Sequence, residues 1–300
     1  MASQRTVRAR KQGAGLDRIV PFLLLAPAVL LVAAVVIYPL VTGIQESTKF
    51  YRYGRAVADV GFSQYRQAFD DSEFTGAVWT TIKFVTAAVA IETLIGLGLA
   101  LLCVHELRFI RAMRIVLIVP MVVTPVVVGI IFRLIYASDV GLFSSTSQLV
   151  GGGSIGILDN NSGAFWGLVA LDVWEWTPLI FLILLAGLQS LPTEPFEAAR
   201  VDGAGVWRTF FDHTLPMLKP VLAVAIVLRT IDAFTTFDQV YVLTHGGPGT
   251  STELISIYGY DTFFRFQQFG YAAAMLLMVA LIVLAFAFLA VRLMRRQAST

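Results

Sequence analysis

Apolar stretches of 25 to 30 residues recur along the chain, separated by short polar segments. A helix needs ~20 apolar residues to cross a bilayer, and six stretches meet that length: about 19–44, 75–104, 109–137, 163–189, 220–244 and 270–294. Pro120, Pro125 and Pro178 lie inside the third and fourth, which a spanning helix tolerates where its neighbours satisfy the freed backbone groups. The pattern predicts an all-α integral membrane protein, a bundle of about six transmembrane helices over residues 19–294. A basic tail, 1–18, precedes the bundle and a short one, 295–300, follows it. The first stretch follows Arg5, Arg8, Arg10, Lys11 and Arg18, as in a secretory signal. Its apolar run is longer than a signal core and no clean small-x-small cleavage site follows, so it reads as a retained helix.

Composition agrees: 57% of residues are hydrophobic and 14% charged, with a mean hydropathy of +0.76. Soluble chains carry about a quarter charged residues. A net charge of +2 is too small to point to nucleic acid. Cys103 is the single cysteine, which excludes an intramolecular disulfide or a cysteine metal cluster and reads as a small packing residue.

The distribution of Lys and Arg sets the orientation. With the N-terminus inside, the cytoplasmic segments hold Arg5, Arg8, Arg10, Lys11, Arg18, Arg108, Arg111, Arg114, Arg200, Arg208, Lys219, Arg292, Arg295 and Arg296. The outer segments hold Lys49, Arg52, Arg55, Arg66 and Arg265. Both termini are therefore expected in the cytoplasm. Residues 138–162, rich in Gly, Ser and Asn, and the run His245-Gly246-Gly247-Pro248-Gly249 read as outer loops.

Charges inside a span cost about 2.5–3.5 kcal/mol each at the helix centre and so mark functional candidates. The fourth span carries Asp172, Trp174, Glu175 and Trp176; the fifth carries Arg229, Asp232, Thr235, Thr236, Asp238 and Gln239. Carboxylates, amides and rings together suit a sugar, whose hydroxyls need acceptors and whose apolar face needs an aromatic. Blander readings stand beside this. Arg229 and Asp232 share a helix face and suit an ion pair, and the two tryptophans suit packing or an interfacial belt. Lys83 and Glu92 suit interhelical or interfacial structural roles. Asp172 and Glu175, alike in charge and three apart, are harder to explain by packing.

The cytoplasmic segment 191–219 is the most specific. It reads as a helix opened by Pro195 and continued by Ala198 and Ala199. A turn permitted by Gly203 and Gly205 follows, then a second helix with Trp207, Phe210 and Phe211, ending at Pro216. On physical grounds it is an amphipathic connector on the membrane surface or a docking element. The order Glu197-Ala198-Ala199, Gly203, Leu215-Pro216 resembles the EAA motif of ABC-importer permeases. Phe237 to Pro248, Tyr258-Gly259-Tyr260, Phe263, Phe264, Phe269 to Ala272, and Leu185 to Pro192 are similar to the sugar permeases of that family (maltose, trehalose or glycerol-phosphate-like). His213 departs from the usual apolar residue.

The resemblance implies a type I importer permease fold and a coupling role for Glu197, Ala198, Ala199, Asp202, Gly203, Ala204, Leu215 and Pro216. Glu197 would pair with a basic residue of the ATPase and Gly203 would turn the chain. It also implies partners: a second permease subunit, a dimer of ATP-binding subunits and an extracytoplasmic solute-binding protein, around a sugar or polyol in a bacterial cell membrane. No phosphate-binding loop occurs here, so ATP and magnesium are expected on the separate ATPase and no cofactor or metal on this chain. The substrate path would involve Asp172, Trp174, Glu175, Trp176, Asp232, Thr235, Thr236 and Asp238. An ion-coupled secondary transporter is the alternative, since the same carboxylates suit a proton relay. It lacks the internal repeat usual in such carriers. His105, His213 and His245 are scattered, without zinc-protease spacing, so no enzyme is expected.

Overall fold

The computed structural model describes residues 16–104 and 108–297; most of the two tails and His105 lie outside the described residues. The chain opens with α1 (Leu16–Val32), which continues through a π-turn (Ala33–Ile37) into α2 (Tyr38–Glu46). A small antiparallel hairpin, β1 (Lys49–Arg52) and β2 (Arg55–Asp59), follows outside the bundle, then α3 (Ser63–Asp70). The bundle proper contains α4 (Ser72–Cys103), α5 (Arg108–Val122), α6 (Pro125–Ile135) and α8 (Asn161–Gln189), with the short α7 (Leu142–Leu149) in the loop before α8. Next come α9 (Glu194–Val201), α10 (Val206–Thr209), α11 (Leu215–Phe234), α12 (Asp238–Leu243), α13 (Ile255–Tyr260) and α14 (Phe269–Gln297). The helical bundle is as expected, with the hairpin added in its outer segment.

Among the described residues, five helices are long and apolar enough to cross a membrane: Pro21–Glu46, Ser72–Cys103, Asn161–Gln189, Val206–Phe234 and Phe269–Ala290. The predicted third span is a bent pair of helices. Ile115–Val122 and Pro125–Ile135 meet at 100°, where the sequence predicts one continuous helix. Pro125 is the cause: a proline drives the preceding residue out of helical space, and Thr124 is extended with ψ 140°. The fifth span also differs from its predicted extent. It begins at Val206 and ends at Phe234, so Thr235 to Phe237 form a break and Asp238 opens a separate short helix. Thr235 Oγ1 donates to the Asp232 carbonyl at 2.8 Å, the local side-chain bonding by which Thr competes with helix continuation. The cytoplasmic helix does not end at Pro216. A π-turn, Phe210–Thr214, precedes α11, and Pro216 sits in the first turn of α11, where its missing N–H costs least.

The centre of the bundle is the α4–α8 contact. Gly96 permits it, because a Cβ there would stand 3.0 Å from Ile180 Cγ2 and 3.1 Å from the Phe181 nitrogen. Phe181, Leu184, Ala100 and Cys103 are fully buried below this point, and Phe84, Ala88, Leu168 and Leu171 above it. At the outer end, Asp71 caps α4, accepting from the Glu73 and Phe74 nitrogens at 2.9 and 3.3 Å. Its other oxygen accepts the hydroxyls of Tyr258 at 2.8 Å and Tyr271 at 2.5 Å, tying α4 to α13 and α14.

Candidate functional site

Two regions concentrate polar chemistry. The first lies inside the bundle, where α4, α8, α11 and α12 converge on Arg229, a fully buried residue of α11. Its Nε and Nη2 donate to the two oxygens of Glu92 on α4 at 2.9 and 3.1 Å. Nη2 also donates to Asp172 on α8, and Nη1 to Asp232 at 2.9 Å. Gln239 of α12 donates to the remaining Asp172 oxygen at 2.7 Å. The guanidinium carbon stands 5.2 Å from the Trp176 ring centroid, within cation–π reach. A fork of five donors suits several carboxylates arriving from different helices.

The predicted Arg229–Asp232 pair is therefore one arm of a four-helix cluster. Glu92, read as structural, is the bidentate arm. Asp172, proposed for the substrate path, is 0% exposed with both oxygens engaged, so it cannot touch a solute in this conformation. Glu175 is also buried, and its Oε2 has no hydrogen-bond partner. Trp174 is 42% exposed and stacks against Phe132 with centroids 5.4 Å apart. Thr236 is buried. Besides Trp174, the path residues that reach the surface are Asp232, whose side chain is 46% exposed, Thr235 and Asp238. They form one polar row running from the end of α11 through the break to the start of α12. Lys83, assigned an interhelical or interfacial role, is exposed and enters none of the ion pairs among the described residues.

The second region is cytoplasmic. Pro195 lies in the first turn of α9 and Ala199 is its buried face, while Glu197, Ala198 and Asp202 are exposed. The helix ends in a Schellman motif: the Gly203 nitrogen donates to the Arg200 carbonyl at 3.1 Å and the Ala204 nitrogen to the Ala199 carbonyl at 2.9 Å. Gly203 takes the left-handed φ of +73° that this closure needs. Beyond the turn, Val206 and Trp207 are 85% and 76% exposed, and Trp207 stacks on Phe211. A groove of about 740 Å³ runs between this segment and the base of α8, lined by Leu188, Phe196, Glu197, Arg200, Trp207 and Phe210. His213 sits in the π-turn, and Leu215 and Pro216 open α11.

Residues 92–299 match the family described as binding-protein-dependent transport system inner membrane component. The chain is 36% identical over 227 residues to the trehalose/maltose transport system permease protein MalF of Thermococcus litoralis, covering 76% of this chain and 77% of that one. It is 35% identical over 263 residues to the sulfoquinovosyl glycerol transport system permease protein SmoG of Agrobacterium fabrum, covering 86% and 85%. The fold matches a chain in the crystal structure of a bacterial alginate ABC transporter in complex with an alginate pentasaccharide-bound periplasmic protein, with a TM-score of 0.82. That match is at 20% identity and covers 96% of this chain and 98% of that one.

Proposed function

Because the chain belongs to the binding-protein-dependent transport system inner membrane components, we propose that the cargo of this importer permease is a sugar or a related polyol. The protein is a multi-pass subunit of the inner membrane and not an enzyme. The relatives named for trehalose, maltose and sulfoquinovosyl glycerol support a glycan cargo. The observation that carries the path is the exposed row Asp232, Thr235 and Asp238. Polar groups facing lipid at this depth are costly, so the row lines a water-filled path between this chain and a second permease subunit. Asp232 and Asp238 accept hydrogen bonds from sugar hydroxyls, Thr235 adds a hydroxyl, and the exposed face of Trp174 takes the apolar side of a ring. Glu92, Asp172 and Arg229 hold Asp232 in place and do not touch cargo.

Coupling runs through α9. Glu197 presents a carboxylate to a basic residue of an ATP-binding subunit, which carries ATP and magnesium on its own chain. The Gly203 turn presents Val206 and Trp207 to the same partner. Closure of the ATPase dimer then moves α9 and the path alternates between the two sides. Cargo arrives on an extracytoplasmic solute-binding protein. Differential contact with the ATPase in the two states is what lets ATP drive the change.

The reconstituted complex, supplied with its binding protein and radiolabelled trehalose or maltose, should show ATP-dependent uptake. Asp238→Asn, outside the ion cluster, should lower uptake about tenfold, as expected for a lost charged hydrogen bond of ~1.5 kcal/mol. Full uptake by that variant removes the row from the path. Uptake driven by a proton gradient without ATP restores the ion-coupled carrier.

A further inference from the structure

A polar cup and an apolar groove lie end to end along one side of the α4–α8 contact; the cup takes part in neither the path nor the coupling segment, and the groove meets the path only at Trp174. The cup, about 400 Å³, is lined by Thr80, Lys83, Asn161, Ser162, Thr250 and Ser251, with Phe165 at its edge. It contains a single charge, the exposed ammonium of Lys83, whose Nζ stands 5.9 Å from the Trp79 ring centroid and enters no ion pair among the described residues. Ser251 Oγ is buried without a hydrogen-bond partner. Below it the groove, about 580 Å³, is lined by Ile91, Ile95, Trp166, Val169, Ala170 and Val173 among others.

Helix geometry joins the two. Residues four apart lie on one face, so Lys83 leads through Ala87 to Ile91 and Ile95 on α4. Ser162 leads through Trp166 to Ala170 and Trp174 on α8. The distance from Lys83 to Ile95 along α4 is about 18 Å at 1.5 Å per residue, close to the ~15 Å of one leaflet's hydrocarbon. Trp79, one turn outward of Lys83 on α4, and Trp166, one turn inward of Ser162 on α8, bracket the cup and are 60% and 53% exposed, as in the aromatic belt at the headgroup level.

We infer that this crevice binds an anionic phospholipid of the outer leaflet. The phosphate sits in the cup on Lys83 and the hydroxyls, and one acyl chain lies in the groove. An unpaired cation with donors above an apolar slot is the complement of that amphiphile.

The full-length chain, in the complex with which it purifies, is transferred from vesicles of mixed phosphatidylglycerol and phosphatidylcholine into mild detergent, and bound lipid is read by native mass spectrometry. Wild type should retain phosphatidylglycerol in preference. Lys83→Gln should weaken retention about fivefold, the factor given by ~1 kcal/mol per basic residue near an anionic surface, and Lys83→Arg should keep it. Ile95→Trp, which fills the groove and leaves the cup intact, should also release the lipid. Both positions are exposed, so unchanged melting temperatures check the fold. Equal retention by wild type and Lys83→Gln overturns the inference. Displacement by inorganic phosphate with Ile95→Trp indistinguishable from wild type makes it a site for free anions and also overturns it. So does crosslinking from position 83 to a protein chain instead of lipid.

Discussion

Arg229 holds its charge out of water because three carboxylates from three helices and a tryptophan face surround it. Breaking a buried pair by deleting one partner leaves an uncompensated charge and costs about 3–5 kcal/mol. Arg229→Leu should therefore lower the melting temperature of the purified protein sharply, because three acids would remain. Glu92→Gln, which keeps shape and an acceptor, should cost less. Equal stability of Arg229→Leu and wild type would show that the cluster contributes nothing to folding. At the outer surface Asp71 behaves differently. Burial pushes its carboxyl up, but the hydroxyls of Tyr271 and Tyr258 and the Phe74 and Glu73 nitrogens outweigh this and hold it below its ordinary 3.8. A lowered folded value stabilises above the unfolded one and is lost as pH falls through the folded one. The destabilisation caused by Asp71→Asn should thus be complete at neutral pH and shrink below about pH 3.8, read from melting temperatures across that range. That Arg229 and Glu92 mattered was legible from their cost inside apolar runs. Their partnership was not, since 137 residues separate them and helix periodicity says nothing about contacts between helices.

At the scale of elements, the segment between α8 and α11 was the most legible part. Pro195, the two alanines and Gly203 each act locally, and local rules place them in α9 and its closing turn. Gly203→Val should impair ATP-dependent uptake and binding-protein-stimulated ATPase activity, since a β-branched side chain at φ +73° is strained by ~1–2 kcal/mol. Gly203→Asn should retain most activity, because asparagine tolerates the left-handed region. Indistinguishable uptake by the two variants would detach the turn from coupling. The broken elements were less legible. Pro125 signalled a stop inside the third span, but hydropathy does not register direction, and a 100° bend leaves the apolar pattern unchanged. The end of the fifth span was misplaced for a related reason: Thr235 to Leu243 stay apolar enough to extend a window, although Thr235 has already turned its hydroxyl back on the backbone.

For the molecule as a whole, the order of the apolar spans followed from the hydropathy pattern alone, because the bilayer imposes a length rule on every span. Which faces meet did not follow, since α4 and α8 are apolar nearly all round and only Gly96 marks their close approach. The Arg229 cluster joins those two helices to α11 and α12. Four elements joined through one guanidinium are expected to shift together when any one of them is displaced. If α9 is pushed at the inner surface, the expected route to the Asp232 row is through α8, whose Asp172 holds Arg229. Bending during alternation is then expected at the joint between α5 and α6, which lies outside the cluster and where Thr124 is already extended.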